Sequence, residues 1–372
     1  MAVTVSNMKV LITTPYKAWP PNSGGAVRTV NIARCLHELG HEVYLLTGDS
    51  APADFIERGL CDQWCTFKFR EQYGYFLNAS FLRRYKQMLD TGINLVVSSF
   101  PYQALMLLVG NFKRKIPIIY DAHNLEALRF RSMGQPYRAA VVRAMESVLC
   151  RYAKGVLAVS NEDLQLFDRH YGVKAQLLPN GVDSGYFTPG APDKGLTGFY
   201  GLENKKVVLY FGAFDYPPNV DALQFLVNNW KTLLQKEPDA RLLIVGRYAP
   251  DWAYGIEGVV VAGAVEDIAA HLRLANIVAV PLKSGGGSRL KIIEAMASGQ
   301  TVLSTPFGAA GISHENRVNG LIISGLNEFV GKLLSLLATP PEPCSSADAC
   351  RFARQFDWKR MVSSIDWERF IR

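Results

Sequence analysis

Short, continuously apolar runs alternate with segments of helical periodicity along nearly the whole chain. The first repeat of this alternation contains "KVLITTP", a glycine-containing loop, the helical pattern "TVNIARCLHELG" and a second apolar run, "EVYLLTG". Strands that are buried on both faces give continuous apolar runs, and the helices between them cover the two faces of a parallel sheet. The alternation therefore predicts an α/β fold built on parallel sheets.

A stretch rich in Gly and Pro, "DSGYFTPGAPDKGLTGFYGLENKK", divides this alternation into two halves. We predict a first Rossmann-like domain over residues 1–190, a linker over residues 191–205 and a second Rossmann-like domain over residues 206–350. Two such domains leave a cleft between them, and ligands of parallel sheets bind at the carboxyl ends of the strands.

The positive charge lies mainly in the first half of the chain. The formal net charge is +7, and residues 1–190 carry 21 Lys and Arg against 15 Asp and Glu. Between Lys68 and Lys154 the basic residues number 14 against 5 acidic ones, and aromatic residues lie among them. Such a cluster suits an anionic membrane surface or a lipid-linked pyrophosphate, and an ordinary solvated basic surface is the alternative. No nucleic-acid recognition motif accompanies it, so we expect no nucleic-acid partner.

The chain shows no targeting or membrane-spanning pattern. Its start lacks the charged region, apolar core and small-residue cleavage site of a secretory signal. The longest apolar stretch, "INLVVSSFPYQALMLLVG", is interrupted by Ser-Ser-Phe-Pro and is predicted to be a strand followed by a helix. The six cysteines form no pattern of zinc ligands. We therefore expect a cytoplasmic protein with peripheral attachment to the inner face of the membrane.

The stretch "SGGGSRLKIIEAMASGQTVLST" combines three glycines, a basic pair and one glutamate within an apolar helical pattern. Glycines before a helix leave its first N–H groups open to a phosphate, and Arg289 and Lys291 in the first turn add positive charge. The alternative is a flexible turn with two solvated cations. Glu294 either forms a salt bridge with Lys291 or accepts hydrogen bonds from a pair of sugar hydroxyls.

This loop and the glutamate in "IIEAMASGQTVLSTPFGAAGI" resemble the signature of glycosyltransferase family 4. Other stretches similar to that family follow in its order, namely "GGAVRTVNIARCLHELGHEVYLLT", "YDAHNLE", "LLPNGVD", "FGAFDYPPNVDA", "LLIVG" and "VAGAVED". The resemblance extends over nearly the whole chain and is greatest to exopolysaccharide-type sugar transferases. It implies the GT-B fold, in which two Rossmann-like domains face a cleft, and a C-terminal helix over residues 351–372 that crosses back to the first domain.

The resemblance also implies an activity in polysaccharide biosynthesis. A retaining glycosyltransferase would move a sugar from a nucleoside diphosphate sugar, bound by the second domain, to a hydroxyl of a glycan or lipid-linked saccharide acceptor, bound by the first. No metal or other cofactor is expected, because the sequence has no Asp-x-Asp motif and positive protein groups would stabilise the leaving diphosphate. The alternative is a nucleotide-sugar-binding protein that no longer catalyses transfer.

The resemblance assigns roles to individual positions. The residues expected to be catalytic are His123, which would orient the donor sugar, and Glu294, which would bind the ribose. The residues expected at the donor phosphates are Gly24, Gly25, Arg28, Gly287, Ser288, Arg289 and Lys291. The residues expected at the nucleotide base and ribose are Gly246, Val265 and Glu294. Structural alternatives remain open, since paired glycines also make tight turns and a lone histidine is usually structural.

Two positions depart from the family pattern. Gly286 stands where many members carry a glutamate that contacts the donor sugar, and this departure motivates the binding-only alternative. The loop "GAFDYPPN" lacks the Arg and Lys with which many members hold the diphosphate. Because the phosphates still require positive charge, we expect Arg289 and Lys291 to supply it from the neighbouring loop.

Overall fold

The structure is a computed structural model. It describes residues 7–21, 23–68, 77–284, 290–310, 312, 320–339 and 343–372, with only the backbone of residues 343–346. None of the helices within these ranges combines the length and the apolar character that crossing a bilayer requires. The chain divides into two compact units, each built on one parallel sheet. The prediction of two parallel-sheet α/β domains is therefore confirmed.

The first unit contains the described residues up to 180 and the segment Trp358–Arg372. Its strands are β1 (Lys9–Thr13), β2 (Glu42–Gly48), β3 (Gln63–Phe67), β4 (Leu95–Ser99), β5 (Ile118–Ala122), β6 (Gly155–Ala158) and β7 (Gln176–Leu177). They pair in parallel in the order β3-β2-β1-β4-β5-β6-β7. The direction of strand addition reverses between β1 and β4, which is where open parallel sheets bind ligands.

The helices between these strands are α1 (Gly24–Glu38), α2 (Ala79–Leu89), α3 (Ala104–Asn111), α4 (Glu126–Ser132), α5 (Pro136–Tyr152) and α6 (Asn161–Tyr171). Polar caps set several of their ends. The Ser23 hydroxyl accepts a hydrogen bond from the Ala26 N–H at the start of α1, and Asn78 accepts one from the Phe81 N–H at the start of α2. α6 ends at Gly172, whose φ of 65° a glycine adopts without strain.

One apolar core joins α2, α3, α5 and α6 to the same face of the first sheet. Its members are Leu11, Val96 and Tyr120 from the strands and Phe81, Tyr85, Leu107, Leu149 and Phe167 from the helices. Removing each such side chain from water contributes about 1.5–3 kcal/mol, so this face fixes the helices on the sheet.

The second unit contains the described residues from 181 to 357. Its helices and strands are α7 (Lys194–Phe199), β8 (Lys206–Phe211), α8 (Pro217–Lys236), β9 (Ala240–Val245), β10 (Val259–Gly263), α9 (Ile268–Leu272), β11 (Ile277–Val280), α10 (Leu290–Ala297), β12 (Thr301–Ser304), β13 (Leu321–Ile323), α11 (Leu326–Ala338) and α12 (Pro343–Ala353). The strands pair in parallel in the order β10-β9-β8-β11-β12-β13, with the reversal between β8 and β11.

The segment predicted as a linker, residues 191–205, contains secondary structure. It holds α7, whose first turn is capped by Asp193 through a 2.8 Å bond from the Leu196 N–H, and it belongs to the second unit. The chain changes units after residue 180, so the predicted boundaries at 190 and 206 lie further along the chain than the observed one. Two glycines in a six-residue helix, "KGLTGF", hide its periodicity from sequence inspection.

The segment predicted as one C-terminal helix, residues 351–372, is divided in the structure. Its beginning completes α12 in the second unit, and a separate helix, α13 (Trp358–Ser363), lies in the first unit. Lys359 Nζ lies 3.2 Å from Glu38 Oε2 at the end of α1. The end of the chain is thus held on the first unit.

Candidate functional site

An acid and a histidine lie together at the carboxyl end of β5. Asp121 lies within β5 and His123 is the first residue after that strand, and both side chains are buried. His123 Nε2 lies 3.0 Å from Asp121 Oδ2. A carboxylate accepts hydrogen bonds, so this nitrogen carries the imidazole proton, and Nδ1 is left for another partner.

Arg28 of α1 holds the same carboxylate. Its Nε donates to both oxygens of Asp121 at 3.0 Å, and Nη2 donates to Oδ1 at 2.6 Å. Nη1 donates to the carbonyl oxygens of Leu178 and Pro179 and to Asn180 Oδ1. Burial alone would raise the pKa of Asp121, but the charge of Arg28 and the bond from His123 hold that pKa well below its usual range.

These contacts place Arg28 against protein oxygens, whereas the sequence predicts it at the donor phosphates. The guanidinium is fully buried, and each of its nitrogens donates to a protein oxygen. It does not face outward as a phosphate-binding cation does. Its place in the site is behind Asp121, where it keeps the carboxylate ionised and fixes the histidine that Asp121 contacts.

The two glycines that begin α1 differ in their surroundings. A Cβ atom added to Gly25 would lie 2.3 Å from Tyr16 Oη and 3.2 Å from His123 Nδ1, whereas one added to Gly24 would meet nothing within 4 Å. A side chain at position 25 would therefore collide with the Tyr16 hydroxyl and press on the imidazole, so glycine lets the first turn of α1 lie against both rings. His123 Nδ1 faces that turn.

Phe100 packs against His123 in an unusual backbone conformation. Its φ is 72°, which is costly for a residue with a side chain, and it precedes a proline, where extended backbone is the rule. The centroid of its ring lies 4.5 Å from that of His123 and 5.2 Å from that of Tyr16. Strained residues of this kind cluster at functional sites. Phe100 is not among the residues predicted from the sequence, although the strand end "SSFPY" places an aromatic residue before a proline there.

Polar side chains also mark the reversal point between β1 and β4. Thr13 ends β1 and Thr14 follows it, whereas Ser98 and Ser99 end β4. Thr13 is in register with Ser98. All four are buried, and their hydroxyls have no hydrogen-bond partner in the described part of the chain. Buried hydroxyls normally find partners, so this edge of the sheet is unusually polar for its burial.

Glu146 of α5 fixes the turn that follows His123. Its carboxylate accepts hydrogen bonds from the hydroxyls of Tyr120 at 2.8 Å and Tyr171 at 2.6 Å, and from the N–H groups of Glu126 at 3.1 Å and Ala127 at 3.4 Å. Burial raises the pKa of Glu146, and these hydrogen bonds oppose that shift. The start of α4, three residues after His123, is thereby anchored to α5.

In the second unit, Lys291 extends from the first turn of α10 over the end of β8. Its Nζ lies 2.7 Å from Asn219 Oδ1 and 4.9 Å from the centre of the Tyr210 ring. A Cβ added to Gly212, the residue after β8, would lie 2.5 Å from the same Nζ. Burial lowers the pKa of Lys291 to about 7, and the charge of Glu294 opposes that shift.

Glu294 lies one turn further along α10. Burial raises its pKa to about 7, and the charge of Lys291 opposes that shift. Protein atoms surround both side chains, although each keeps part of its surface exposed. The salt bridge that the sequence offered as an alternative is not among the ion pairs of the described residues, where Lys291 contacts Asn219 instead.

Asn219, the partner of Lys291, is not among the residues predicted from the sequence. It lies in the first turn of α8, its amide nitrogen donates to the Ala213 carbonyl at 2.7 Å, and its backbone carbonyl accepts from the Tyr210 hydroxyl at 3.0 Å. These bonds aim its amide oxygen at Lys291. Its sequence signal is a polar residue inside "GAFDYPPN", the loop that lacks the basic residues of the family.

Gly246 and Val265 lie at the ends of the two neighbouring strands, β9 and β10. A Cβ added to Gly246 would lie 1.8 Å from the Gly212 carbonyl oxygen, and the φ of Gly246 is 148°. The segments that follow β8 and β9 therefore meet backbone to backbone, which only glycine at position 246 permits. Val265 is half-buried against the core of the unit. These residues, Gly212 and Lys291 all follow the carboxyl edge of one sheet.

Some of the positions discussed in the sequence analysis lie outside the residues that the structure describes, namely Gly286, Gly287, Ser288 and Arg289. Within the described ranges, no group of three or more His, Cys, Asp or Glu side chains is placed to hold a metal ion.

The chain matches two models of sugar-transferring enzymes. Residues 22–186 match "Glycosyltransferase Family 4", and residues 205–339 match "Glycosyl transferases group 1". The chain belongs to the family 4 glycosyltransferases. The family that the sequence predicts is therefore confirmed.

Solved structures share the fold of this family 4 chain. Anabaena HepE in complex with UDP and glucose superimposes with a TM-score of 0.74 at 18% identity, covering 96% of this chain and 98% of HepE. WaaG, a glycosyltransferase involved in lipopolysaccharide biosynthesis, gives a TM-score of 0.70 at 16% identity, covering 95% and 98% of the two chains. These similarities show the GT-B fold.

Characterised relatives match parts of the chain. A phosphatidyl-myo-inositol mannosyltransferase of Mycobacterium tuberculosis is 30% identical over 162 residues, which are 42% of this chain and 41% of that protein. A D-inositol 3-phosphate glycosyltransferase of Actinosynnema mirum is 26% identical over 278 residues, or 67% of this chain and 66% of that protein. The match thus spans less than half of the first relative and about two thirds of the second.

The Arg28–Asp121 pair makes a stability prediction. Replacing Arg28 by Met leaves a buried carboxylate without its counterion, and we expect a loss of about 3–5 kcal/mol in the free energy of unfolding, measured by urea denaturation. The folded-state pKa of Asp121 lies below its unfolded value, so the pair stabilises the protein above about pH 4 and loses that effect on acidification.

The control for this prediction is the double variant Arg28→Met/Asp121→Asn. Neutralising both partners removes the unpaired charge, so the double variant should recover at least half of the lost stability. Equal stability of the single and double variants would show that the two side chains are not coupled.

Proposed function

We propose that this chain transfers a sugar from a nucleoside diphosphate sugar to a hydroxyl of a glycan or lipid-linked acceptor, with retention of anomeric configuration and without a metal ion. The observation that carries the proposal is the Lys291 ammonium, which Asn219 holds over the end of β8, with Glu294 one turn further along α10. A cation and a carboxylate at the reversal point of a parallel sheet suit a diphosphate and a ribose.

Lys291 takes the place of the basic residues that the loop after β8 lacks. Its ammonium lies against Gly212 in that same loop, so the positive charge arrives from α10 instead. Because burial disfavours the ammonium, an anion that binds there stabilises the charged form and raises the pKa of Lys291 again. Gly287, Ser288 and Arg289 complete the phosphate-binding group in this proposal.

Glu294 accepts hydrogen bonds from the two ribose hydroxyls, and the base lies along the edge formed by Gly246 and Val265. The backbone contact between Gly246 and Gly212 keeps this edge free of side chains at the point where β8 and β9 end. A flat base can approach such a surface closely. Comparing nucleotides that differ in their base identifies which base binds there.

His123 orients the donor sugar. With Nε2–H donated to Asp121, Nδ1 is the ring nitrogen left to form a hydrogen bond with a sugar hydroxyl. Gly24 and Gly25 lie at the positive N-terminal end of α1, which attracts an anion such as a diphosphate. Arg28 acts through Asp121, which it keeps ionised.

The transfer step breaks the bond between the anomeric carbon and the leaving phosphate oxygen, and forms a bond from that carbon to the acceptor hydroxyl oxygen. The acceptor proton passes to the leaving phosphate. The positive charge that develops on the sugar is short-lived, so the main task of the protein is to stabilise the diphosphate as it departs. Lys291 and the helix N-termini supply that stabilisation.

The names of similar proteins support this proposal without extending it. HepE has been crystallised with UDP-glucose, WaaG takes part in lipopolysaccharide biosynthesis, and the mycobacterial relative is a mannosyltransferase that acts on phosphatidyl-myo-inositol. They are consistent with a nucleotide sugar as donor and with a lipid-linked saccharide as acceptor. A cytoplasmic location at the inner face of the membrane is part of the same proposal.

The alternative function is nucleotide-sugar binding without transfer, motivated by the glycine at position 286. Both functions use Lys291 and Glu294. They differ in the first unit, since only transfer requires His123 in a fixed orientation, and the buried Arg28–Asp121 pair provides that orientation. This observation favours transfer.

The donor site predicts selective stabilisation by one nucleotide. Among UDP, GDP, ADP, dTDP and CMP, we expect one to raise the melting temperature clearly, because a ligand that binds only the native state stabilises it by mass action. Glu294→Ala should abolish the shift. Glu328→Ala in α11 is the matched control and should keep it. No shift with any nucleotide would contradict the proposed donor site.

The lowered pKa of Lys291 predicts a pH dependence. The diphosphate requires the ammonium, so the contribution of Lys291 to affinity should be complete below about pH 7 and fall by up to about tenfold per unit above it. Lys291→Arg keeps its charge throughout and should remove this fall. Glu294 titrates in both proteins, so the difference between their calorimetric titrations isolates Lys291. Parallel pH profiles would show that Lys291 does not contact the diphosphate.

His123 distinguishes transfer from binding alone. His123→Ala should lower kcat for sugar transfer by a factor of about 10²–10³ while leaving the nucleotide-induced shift intact, because the histidine contacts the sugar and not the nucleotide. His170→Ala, at the end of α6, is the control and should retain activity. Donor turnover is measured by release of the nucleoside diphosphate in the presence of acceptor. Binding without turnover in the unaltered protein would establish the alternative function.

A further inference from the structure

Three helices of the first unit form one outer layer. α3 lies in the middle and contacts α2 and α5, and all three contribute to the same core on one face of the sheet. Their opposite sides point away from the sheet. The exposed residues of this layer include apolar Leu105, Val109, Phe112, Tyr137 and Val141 and basic Arg83, Arg84, Lys86, Arg138 and Arg143. We call this surface the α2–α3–α5 face.

α3 is apolar on both of its sides. Met106 and Leu107 are buried against the sheet, whereas Leu105, Val109 and Phe112 lie on the exposed side at intervals of four and three residues. Val109 is 60% exposed and Phe112 is 79% exposed. A surface helix normally places polar residues on its outer side, so this apolar stripe requires an explanation.

Basic side chains lie on both sides of this stripe. α2 exposes Arg83, Arg84 and Lys86, and α5 exposes Arg138 and Arg143. α5 also extends the apolar surface through Val141 and Tyr137, which is 89% exposed. An apolar centre with a cationic border is the arrangement of segments that lie in the interface of a bilayer.

The face carries no exposed carboxylate among these three helices. α2 and α3 contain no Asp or Glu, and the single acidic residue of α5 is Glu146, which is buried. Asp90, just after α2, forms an ion pair with Arg114. The exposed charged side chains of these three helices are therefore all basic, which favours an anionic surface.

We propose that the α2–α3–α5 face docks on a bilayer that contains anionic lipids. The side chains of Leu105, Val109 and Phe112 enter the boundary between headgroups and acyl chains, and the arginines and lysine contact the headgroup phosphates. The proposal rests on the proposed function only for the acceptor, since a lipid-linked acceptor lies in such a bilayer. The surface itself is independent of the donor site.

A second copy of this chain fits the face less well. A symmetric dimer would place each basic border against the same border of its partner, and opposing like charges is costly. The absence of exposed carboxylates from the three helices means that no acidic group on them would offset that repulsion. An anionic bilayer satisfies both the apolar stripe and the charge.

The test is flotation of the full chain with vesicles. We expect binding to phosphatidylcholine vesicles that contain about 30% phosphatidylglycerol, weaker binding to phosphatidylcholine alone, and release in about 0.5 M NaCl. Phe112→Ser should lower the partition coefficient about tenfold. Arg83→Gln, Lys86→Gln and Arg143→Gln should each lower it about fivefold.

Matched controls lie on the second unit. Phe199→Ser removes an equally exposed aromatic side chain, and Lys231→Gln/Lys236→Gln removes exposed positive charge from α8. Both controls should bind vesicles as the unaltered protein does. The nucleotide-induced shift, measured on the same proteins, reports the donor site separately, so failure of one proposal is distinguishable from failure of the other.

Three results would overturn the proposal. The unaltered protein could fail to bind anionic vesicles, or the face variants and the controls could lose binding equally. Sedimentation velocity could also show a dimer that Phe112→Ser dissociates, which would assign the face to a second copy of the chain. Loss of vesicle binding in the face variants alone supports docking through this face.

Discussion

The buried ion pair between Arg28 and Asp121 determines the geometry of the first unit's candidate site. Taking both charges out of water is costly, and the cost is offset here because the carboxylate receives bonds from two arginine nitrogens and from His123. Arg28 also bonds to three oxygens of residues 178–180. The pair thereby ties α1, β5 and the turn after β7 together. The tautomer of His123 follows from it, as does the direction in which Nδ1 points.

The second unit treats its buried cation differently. Lys291 contacts the amide oxygen of Asn219 and the face of Tyr210, and neither partner carries a negative charge. The contacts orient the ammonium without neutralising it. Arg28 is thus paired with a carboxylate inside the fold, whereas Lys291 contacts an amide oxygen and forms no ion pair among the described residues. This contrast is the structural basis for proposing that Lys291 binds an anion.

Local sequence pattern was enough to predict both parallel sheets, because most of the buried strands and the helices between them have a recognisable hydrophobic periodicity. It also places Gly25, His123 and Gly246 near strand ends or a helix start, whereas their roles in the site come from the family resemblance and stay predictions. The partner of Arg28 could not be predicted, since Asp121 lies 93 residues away. Asn219 and Phe100 escaped for a related reason: their roles depend on a contact across the fold and on a φ of 72°, and no spacing in the sequence encodes either. Helix α7 was not predicted, because two glycines in its six residues leave no helical hydrophobic pattern.

The carboxylate of Glu146 joins two parts of the first unit that serve different purposes. It belongs to α5, the helix that exposes Tyr137 and Val141, and it holds the backbone N–H groups at the start of α4, directly after the turn with His123. The start of α4, just after His123, is therefore tied to α5. A shift of α5 would be transmitted to the turn that carries the histidine, so the outer surface of the unit and the position of His123 are mechanically linked.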